Sequence, residues 1–168
     1  MISFKVAPLA DLEQHWQQAA EWSFEAWRHD FPSDTVQTYL DQYALARSKP
    51  EQLLEVFAAV TDNDQLLGVA TLVHDDELPD ALEPGPWLAA VFVTPDARKF
   101  GVGSALVKHV VNRARELGYL KIYLYTEHQE NWYASTGWVK IRDLIFLGLH
   151  HTVMQLDLSG QTPSALQQ

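Results

Sequence analysis

The strongest structural signal in the sequence is a glycine-containing turn between an apolar run and an amphipathic segment. Residues 87–93 are all apolar, and the stretch that follows carries glycines at positions 101 and 103. Apolar residues then recur at helical spacing up to Leu117, and Gly118 stands where a left-handed residue commonly ends a helix. The pattern predicts a buried central strand, a tight turn and a helix over about residues 103–117, a unit typical of sheets covered by helices.

The rest of the chain alternates between helical and strand patterns, with no internal repeat and no linker. Apolar runs and alternation predict strands over residues 2–6, 53–60, 66–74, 120–124, 138–146 and 152–158. Helical spacing predicts helices over residues 12–27 and from residue 36 to before Pro50, the second after a turn with an N-cap at residues 32–34, and a short helix around Tyr133. We therefore expect one α/β or α+β domain with a mixed sheet over residues 1–160, followed by a frayed polar tail, residues 161–168.

Composition and charge exclude several classes of protein. None of the 168 residues is cysteine, which removes disulfides, thiol catalysis and cysteine-ligated metal sites. The formal net charge is -10, so a general nucleic-acid-coating role is not expected. The longest apolar stretches, such as residues 66–73, are too short to span a membrane, and the first residues lack the layout of a signal peptide. We expect a soluble cytoplasmic protein that binds neither nucleic acid nor membrane, and the sequence leaves homodimer formation open.

Charge is distributed unevenly along the chain. Residues 50–97 contain ten acidic residues and no Lys or Arg, whereas six of the twelve basic residues lie within residues 98–121 against Glu116 alone. One interpretation is a basic helix face that neutralises acidic neighbours. The other is an anion site at the glycine turn, because the two glycines let the backbone approach a ligand and the helix N-terminus attracts negative charge. Arg98 and Lys99 would add full charges beside a pyrophosphate.

Two common phosphate motifs do not fit this turn. A Walker loop needs Gly-Lys-Ser/Thr after its second glycine, and Ser104-Ala105 follows here. A dinucleotide fingerprint needs a third glycine where Leu106 stands. Two glycines after a strand also occur in turns that bind nothing, so the glycines alone are also consistent with a turn that has no ligand.

Two segments together are similar to one enzyme family. Val93-x-Pro95-x-x-Arg98-x-x-Gly101-x-Gly103 resembles the acyl-CoA pyrophosphate motif of the GNAT superfamily of N-acetyltransferases, and Trp132-Tyr133-Ala134-Ser135-Thr136-Gly137-Trp138 resembles its second signature. The order of predicted elements also agrees. The resemblance implies a mixed, mostly antiparallel sheet of about six to seven strands flanked by helices, with a splayed central strand pair. It implies acetyl-CoA as cosubstrate and no metal.

The resemblance also implies roles for individual residues. The backbone of the central strand would pair with the pantetheine arm, and one of its N–H groups would polarise the thioester carbonyl. Tyr133 matches the tyrosine that protonates the departing thiolate, a reasonable role for a phenol. Two departures stand out: residues 87–93 contain no acid to act as a base, and a cofactor-contacting Asn cannot be placed before Tyr133. The residues expected to bind the cofactor are Val91, Phe92, Val93, Arg98, Lys99, Phe100, Gly101, Val102, Gly103 and Ser104.

The general base and the acceptor are less well defined. Glu127 and His128 follow the strand that ends near Tyr125 and are the leading candidates for the base; His74, Asp75 and the pair His150-His151 rank lower. The histidine pair lacks the partners of a metal site. The acceptor is expected to be an amine of a small molecule, a peptide or a protein, N-terminal or lysine, and cationic because the loop over residues 75–83 is acidic. The alternative is a non-catalytic module of the same fold that binds or senses acyl-CoA.

Overall fold

The computed structural model describes residues 1–160, and the predicted polar tail, residues 161–168, lies outside them. Within that part of the chain, seven strands form one sheet in the order β1-β2-β3-β4-β5-β7-β6, and helices flank it. Every neighbouring pair is antiparallel except β4 and β5. This confirms the predicted mixed, mostly antiparallel sheet. The strands are β1 (Phe4–Pro8), β2 (Leu54–Thr61), β3 (Leu66–Val73), β4 (Trp87–Val93), β5 (Lys121–Thr126), β6 (Val139–Phe146) and β7 (Leu149–Asp157), and the α-helices are α1 (Trp16–Trp27), α2 (Val36–Ser48), α3 (Val102–Glu116) and α4 (Glu130–Ala134).

The first predicted helix begins later than its apolar pattern suggests. Two short 3-10 turns, Leu9–Asp11 and Glu13–His15, precede α1. Leu9 is fully buried, and its carbonyl accepts the Trp16 indole N–H at 2.7 Å. This contact fixes a turn where the sequence alone predicts helix. The second helix is capped by Thr35, which forms a reciprocal capping box with Thr38, rather than by a residue of the preceding turn.

Helices cover both faces of the sheet and build two apolar cores. On one face, α3 buries its apolar stripe, as the period of the sequence predicts, against residues of β2 to β5 and β7. On the other, α1 and α2 pack over β2 and β3 through residues such as Trp16, Ala20 and Tyr43. Because both faces are covered, β3 is buried along nearly all its length and reads as a continuous apolar run.

The sheet opens between its two parallel strands. Within the described residues, β4 and β5 share a single ladder pair, Trp87↔Tyr123, next to which the Tyr123 N–H donates to the Pro86 carbonyl at 3.0 Å. Further along β4, Ala90 adopts a φ of 52°, and the pairing register with β3 shifts at this point. This irregularity is a bulge that redirects the strand. Trp87 and Leu88 are therefore buried, whereas residues 89–93 are partly exposed because they border the opening.

No helix within residues 1–160 combines the length and the apolar character that crossing a bilayer requires.

Candidate active site

The glycine turn forms the N-terminus of α3. Gly101 is the N-cap with φ 81°, a left-handed conformation that glycine adopts without strain, and Lys99 has φ 67°. The first N–H groups of α3 have no partner within the helix and point out of its N-terminus. Arg98 Nε donates to the Val93 carbonyl at 3.1 Å, which ties this side chain to the end of β4. The turn can therefore present backbone donors and two cationic side chains to an anion.

The residues of this turn differ in exposure. Lys99, Phe100 and Ser104 are exposed, whereas Val102 is buried in the core under α3. Val102 can therefore face a ligand only through its backbone. A Cβ built on Gly103 would lie 3.6 Å from Val93 Cγ2 and 3.9 Å from Trp132 Cη2. Gly103 therefore lies between the end of β4 and α4, and a side chain longer than a methyl group would enter that space.

A cavity of about 560 Å³ lies at the opening of the sheet. It is lined from α1, α2, α4 and strands β2, β3, β4, β5 and β7, together with the connections after α1, β3 and β5. Of the residues predicted from the sequence to form the site, it brings together Val91, Glu127, His128 and Tyr133. Phe92 packs its ring against Trp22 and Trp27, at centroid distances of 5.5 and 6.5 Å, so its side chain is directed at α1. Residues 98–104, which the sequence predicts to bind phosphate, lie outside the cavity lining.

Tyr133 is held by an aromatic cluster at the cavity. It is 7% exposed and contacts Trp132 and Trp138 edge to face, at centroid distances of 4.8 and 5.8 Å. Burial raises the pKa of Tyr133 to about 12. The phenol is therefore neutral at physiological pH and can donate a hydrogen bond or a proton to an anion beside it.

The wall of the cavity is acidic. Its lining residues include six carboxylates and neither Lys nor Arg. Desolvation, reinforced by Glu77 and Asp75, raises the pKa of Asp76 well above its usual range. Burial and then Asp76 likewise raise the pKa of Tyr125. Desolvation is the larger cause of both shifts, and the smaller contribution from neighbouring acids is one that a bound cation would offset. The six acidic residues of the cavity lining are Asp30, Asp34, Asp75, Asp76, Glu77 and Glu127.

The two leading base candidates differ in position. Glu127 Oε1 lies 3.1 Å from His128 Nε2, and their side chains are 30% and 76% exposed, respectively. Glu127 thus lies within the wall, and His128 lies at its rim.

His151 and Asp30 join Glu127 in this wall; from the sequence alone, His151 ranks low among the base candidates and Asp30 is not singled out. His151 is 3% exposed, with its ring beside Tyr125 and Phe146. One ligand atom from each of Asp30, Glu127 and His151 lies within 4.8 Å of the others. Strand alternation along β7 could have identified His151 as the inward member of the pair, since His150 is exposed and bonds Asp143 on the surface at 2.8 Å. No sequence signal marked Asp30, which lies between α1 and α2.

Comparison with known proteins agrees with this architecture. The acetyltransferase (GNAT) family model matches residues 16–137, and the chain belongs to this family. An amino-acid acetyltransferase of Shewanella oneidensis is 28% identical over 102 residues, covering 59% of this chain and 22% of that protein. One of Ralstonia nicotianae is 36% identical over 52 residues, 31% of this chain and 12% of that protein. The matched segments are thus a minor part of both relatives.

Solved structures share the fold at low sequence identity. A structure from Acinetobacter baylyi superposes with a TM-score of 0.76 at 19% identity, covering 99% of this chain and 97% of that one. An aminoglycoside 6'-N-acetyltransferase complexed with coenzyme A gives 0.72 at 15% identity, covering 95% and 99%. A chimeric spermidine N-acetyltransferase with sequence from Vibrio cholerae gives 0.71 at 14% identity, covering 94% and 96%. The GNAT fold inferred from the two sequence motifs is therefore confirmed.

Proposed function

We propose that this protein transfers an acetyl group from acetyl-CoA to a primary amine of a small cationic acceptor, or of a lysine side chain. The observation that carries the proposal is the open edge of β4, which runs from an anion-binding turn at one end to an acidic cavity at the other. A cosubstrate that carries phosphate groups at one end and a thioester at the other would span this arrangement.

The cosubstrate side rests on the backbone. The turn over residues 98–104 would bind the pyrophosphate through the first N–H groups of α3, with Arg98 and Lys99 beside it. The pantetheine arm would pair with the edge of β4 that faces β5, along Val91, Phe92 and Val93. A β4 N–H aimed at the thioester carbonyl would stabilise the oxyanion that forms on attack. The coenzyme A complex of the aminoglycoside acetyltransferase is consistent with such a cosubstrate.

The chemistry is a direct displacement at the thioester carbon. The amine nitrogen forms a bond to this carbon, the C–S bond breaks, and the thiolate leaves. Tyr133, neutral and at the cavity, is suited to donate a proton to the sulfur.

The acceptor side follows from charge. An acidic cavity without Lys or Arg concentrates ammonium groups and repels carboxylates. Two structural neighbours are named for amine-rich acceptors, an aminoglycoside and spermidine. The curated relatives are named for amino acids, whose carboxylate the acidic wall disfavours.

Thiol release from acetyl-CoA tests the proposal. We expect coenzyme A release with 1,4-diaminobutane and with a lysine peptide, and much less with glutamate. Gly103→Glu is the matched control, because its side chain places a negative charge where phosphate would bind. It should lose acetyl-CoA affinity in calorimetry while remaining folded. Tight acetyl-CoA binding without turnover of any amine would instead indicate a binding or sensing module.

A further inference from the structure

Three side chains from distant parts of the chain converge on the cavity wall. Asp30 lies between α1 and α2, Glu127 follows β5, and His151 lies on β7. His151 is nearly fully buried, and a buried polar side chain normally has hydrogen-bond partners for its polar atoms. Its Nδ1 lies 3.1 Å from the Leu149 carbonyl. Within residues 1–160 its Nε2 forms no hydrogen bond to the protein, yet it is not among the fully buried unpaired atoms, so it keeps surface accessible from the cavity that His151 lines.

The contact with Leu149 fixes the tautomer of the neutral ring, that is, which of its two nitrogens carries the hydrogen. A carbonyl oxygen only accepts, so Nδ1 carries the hydrogen that it donates there. In the neutral ring Nε2 is then the unprotonated nitrogen, with a lone pair that can accept a proton. His150, the preceding residue, differs because it is exposed and its Nε2 contacts the Asp143 carboxylate at 2.8 Å.

The spacing of the three groups suits an ammonium. Three acceptors at about 2.8 Å from a tetrahedral ammonium nitrogen lie about 4.6 Å apart, within the separation observed. Ligands of a transition metal, at bonds of about 2.1 Å, lie about 3.4 Å apart, which the same 4.8 Å limit also allows. The geometry therefore accommodates an ammonium, and metal binding by the isolated protein distinguishes the two kinds of cation.

Charged and titratable groups face His151 from every side of the cavity. The carboxylates outnumber all others, and the lining has no Lys or Arg. The negative wall thus attracts the protonated amine, and His151 is the buried nitrogen base among these groups. The groups are Asp30 and Asp34 from the α1–α2 connection, Tyr39 and Tyr43 from α2, Asp75, Asp76 and Glu77 after β3, Tyr125, Glu127 and His128 from β5 and its connection, and Tyr133 from α4.

We propose that Asp30, Glu127 and His151 bind the ammonium group of the acceptor and that Nε2 of His151 removes its proton before attack. This assignment rests on the proposed acetyltransferase function. It replaces the missing acid on β4 with a base on β7.

The step balances as follows. One proton passes from the ammonium to Nε2, leaving a neutral amine with its lone pair. The nitrogen attacks the thioester carbon, and as the C–S bond breaks Tyr133 gives its proton to the departing sulfur. The nitrogen then loses its second proton to the Tyr133 phenolate, which restores the phenol. The products are the N-acetyl amine and coenzyme A, and one net proton reaches solvent after His151 and Tyr133 return to their starting states.

The test compares His151→Gln with His150→Gln in the full chain, using 1,4-diaminobutane and acetyl-CoA. His151→Gln should lower kcat/KM by about 100-fold or more. Without a base only the neutral fraction of the amine reacts, so kcat/KM of this variant should rise about tenfold per pH unit between pH 7 and 9. The wild type and His150→Gln should level off over the same range. Acetyl-CoA affinity should be equal in all three.

Other outcomes are decisive as well. If the pH profile of kcat/KM for His151→Gln runs parallel to that of the wild type, the assignment is wrong. Stoichiometric Zn²⁺ binding that the wild type shows and this variant loses would also overturn it, because the cluster would then be a metal site. If His151→Gln does not fold, Glu127→Gln serves instead, since it should raise KM for the diamine about tenfold and leave acetyl-CoA affinity unchanged; an unchanged KM would again reject the assignment. A wild type inactive with every amine rejects the proposed function and this assignment with it, whereas an active wild type with unaffected variants rejects the assignment alone.

Discussion

Tyr133 illustrates how burial defines the chemistry of one side chain. Its raised pKa keeps the proton on the phenol, and it lies in the cavity wall, where the proposed role is to give that proton to a leaving thiolate. Tyr133→Phe retains the contacts with Trp132 and Trp138 and removes only the hydroxyl. We expect kcat to fall by about 10²–10⁴-fold with little change in KM, measured where chemistry limits the rate. Tyr123→Phe, a buried phenol outside the cavity lining, is the control, and equal effects of the two changes would exclude the role.

The candidate site could be predicted only in part at this scale. Tyr133 could be predicted from the sequence because it lies in a recognisable motif, and Glu127 because it directly follows a predicted strand. With seven histidines in the chain, any one is more often a surface or core residue than a base, so the sequence alone ranks His151 low. The hairpin turn before it, Leu147 and Gly148, has positive φ at a leucine, which is not a usual turn residue and gives no further signal. Without that turn the start of β7 is predicted at residue 152 rather than 149, and the inward direction of His151 is lost.

Among the structural elements, the acidic connection between β3 and β4 is tied to a distant strand. Arg142 on β6 donates from Nε and Nη2 to the Glu83 carboxylate at 2.7 and 3.0 Å, and the Glu83 side chain is only 7% exposed. The hydrogen bonds from Arg142 lower the pKa of Glu83. This pair holds one end of the connection whose other end contributes acids to the cavity.

Glu83→Gln should lower the free energy of unfolding by about 1–3 kcal/mol at neutral pH, because Arg142 loses its charged partner. The folded pKa of Glu83 lies below its unfolded value, so the stabilisation is present above the unfolded pKa and is lost as pH falls through the folded one. Urea denaturation at pH 7 and pH 3 should therefore show a larger difference from wild type at the higher pH. Glu25→Gln, which breaks an exposed pair with Arg28, should change stability by less than about 0.5 kcal/mol. A constant Glu83→Gln effect at both pH values would contradict the ion-pair explanation.

Element boundaries followed from the sequence where periodicity was strong. The bounds of β4 were predicted to the residue and those of α3 within one, since an apolar run and a helical stripe each report burial of a local segment. The opening between β4 and β5 was expected only from the family resemblance. It depends on pairing between residues far apart in sequence and on a bulge at Ala90, a residue type that gives no hint of positive φ.

In the folded molecule, the acidic and the basic segments of the chain lie at different places along strand β4. The acidic cavity lies at one part of the β4 edge, and the basic turn lies at the end of the same strand. Replacing Asp75, Asp76 and Glu77 with Asn, Asn and Gln should raise KM for 1,4-diaminobutane more than for an aromatic amine, which is uncharged at neutral pH. The difference should shrink above about 0.1 M salt, where the Debye length is roughly 10 Å. Steady-state kinetics at low and high salt measure it, and equal changes for both amines would contradict an electrostatic role for this wall.

The single bridge between β4 and β5 has a thermodynamic consequence. The strands β1 to β4 and the strands β5 to β7 are joined mainly by side chains beneath α3, such as Leu88, Ile122 and Met154, rather than by a continuous ladder. A molecule that pairs with the open edge of β4 becomes in effect an eighth member of the sheet. Since it binds the folded state and not the unfolded one, its occupancy adds to the cohesion of the domain. For a cosubstrate bound in the proposed way, the measured free energy of unfolding would therefore rise with the concentration of free cosubstrate.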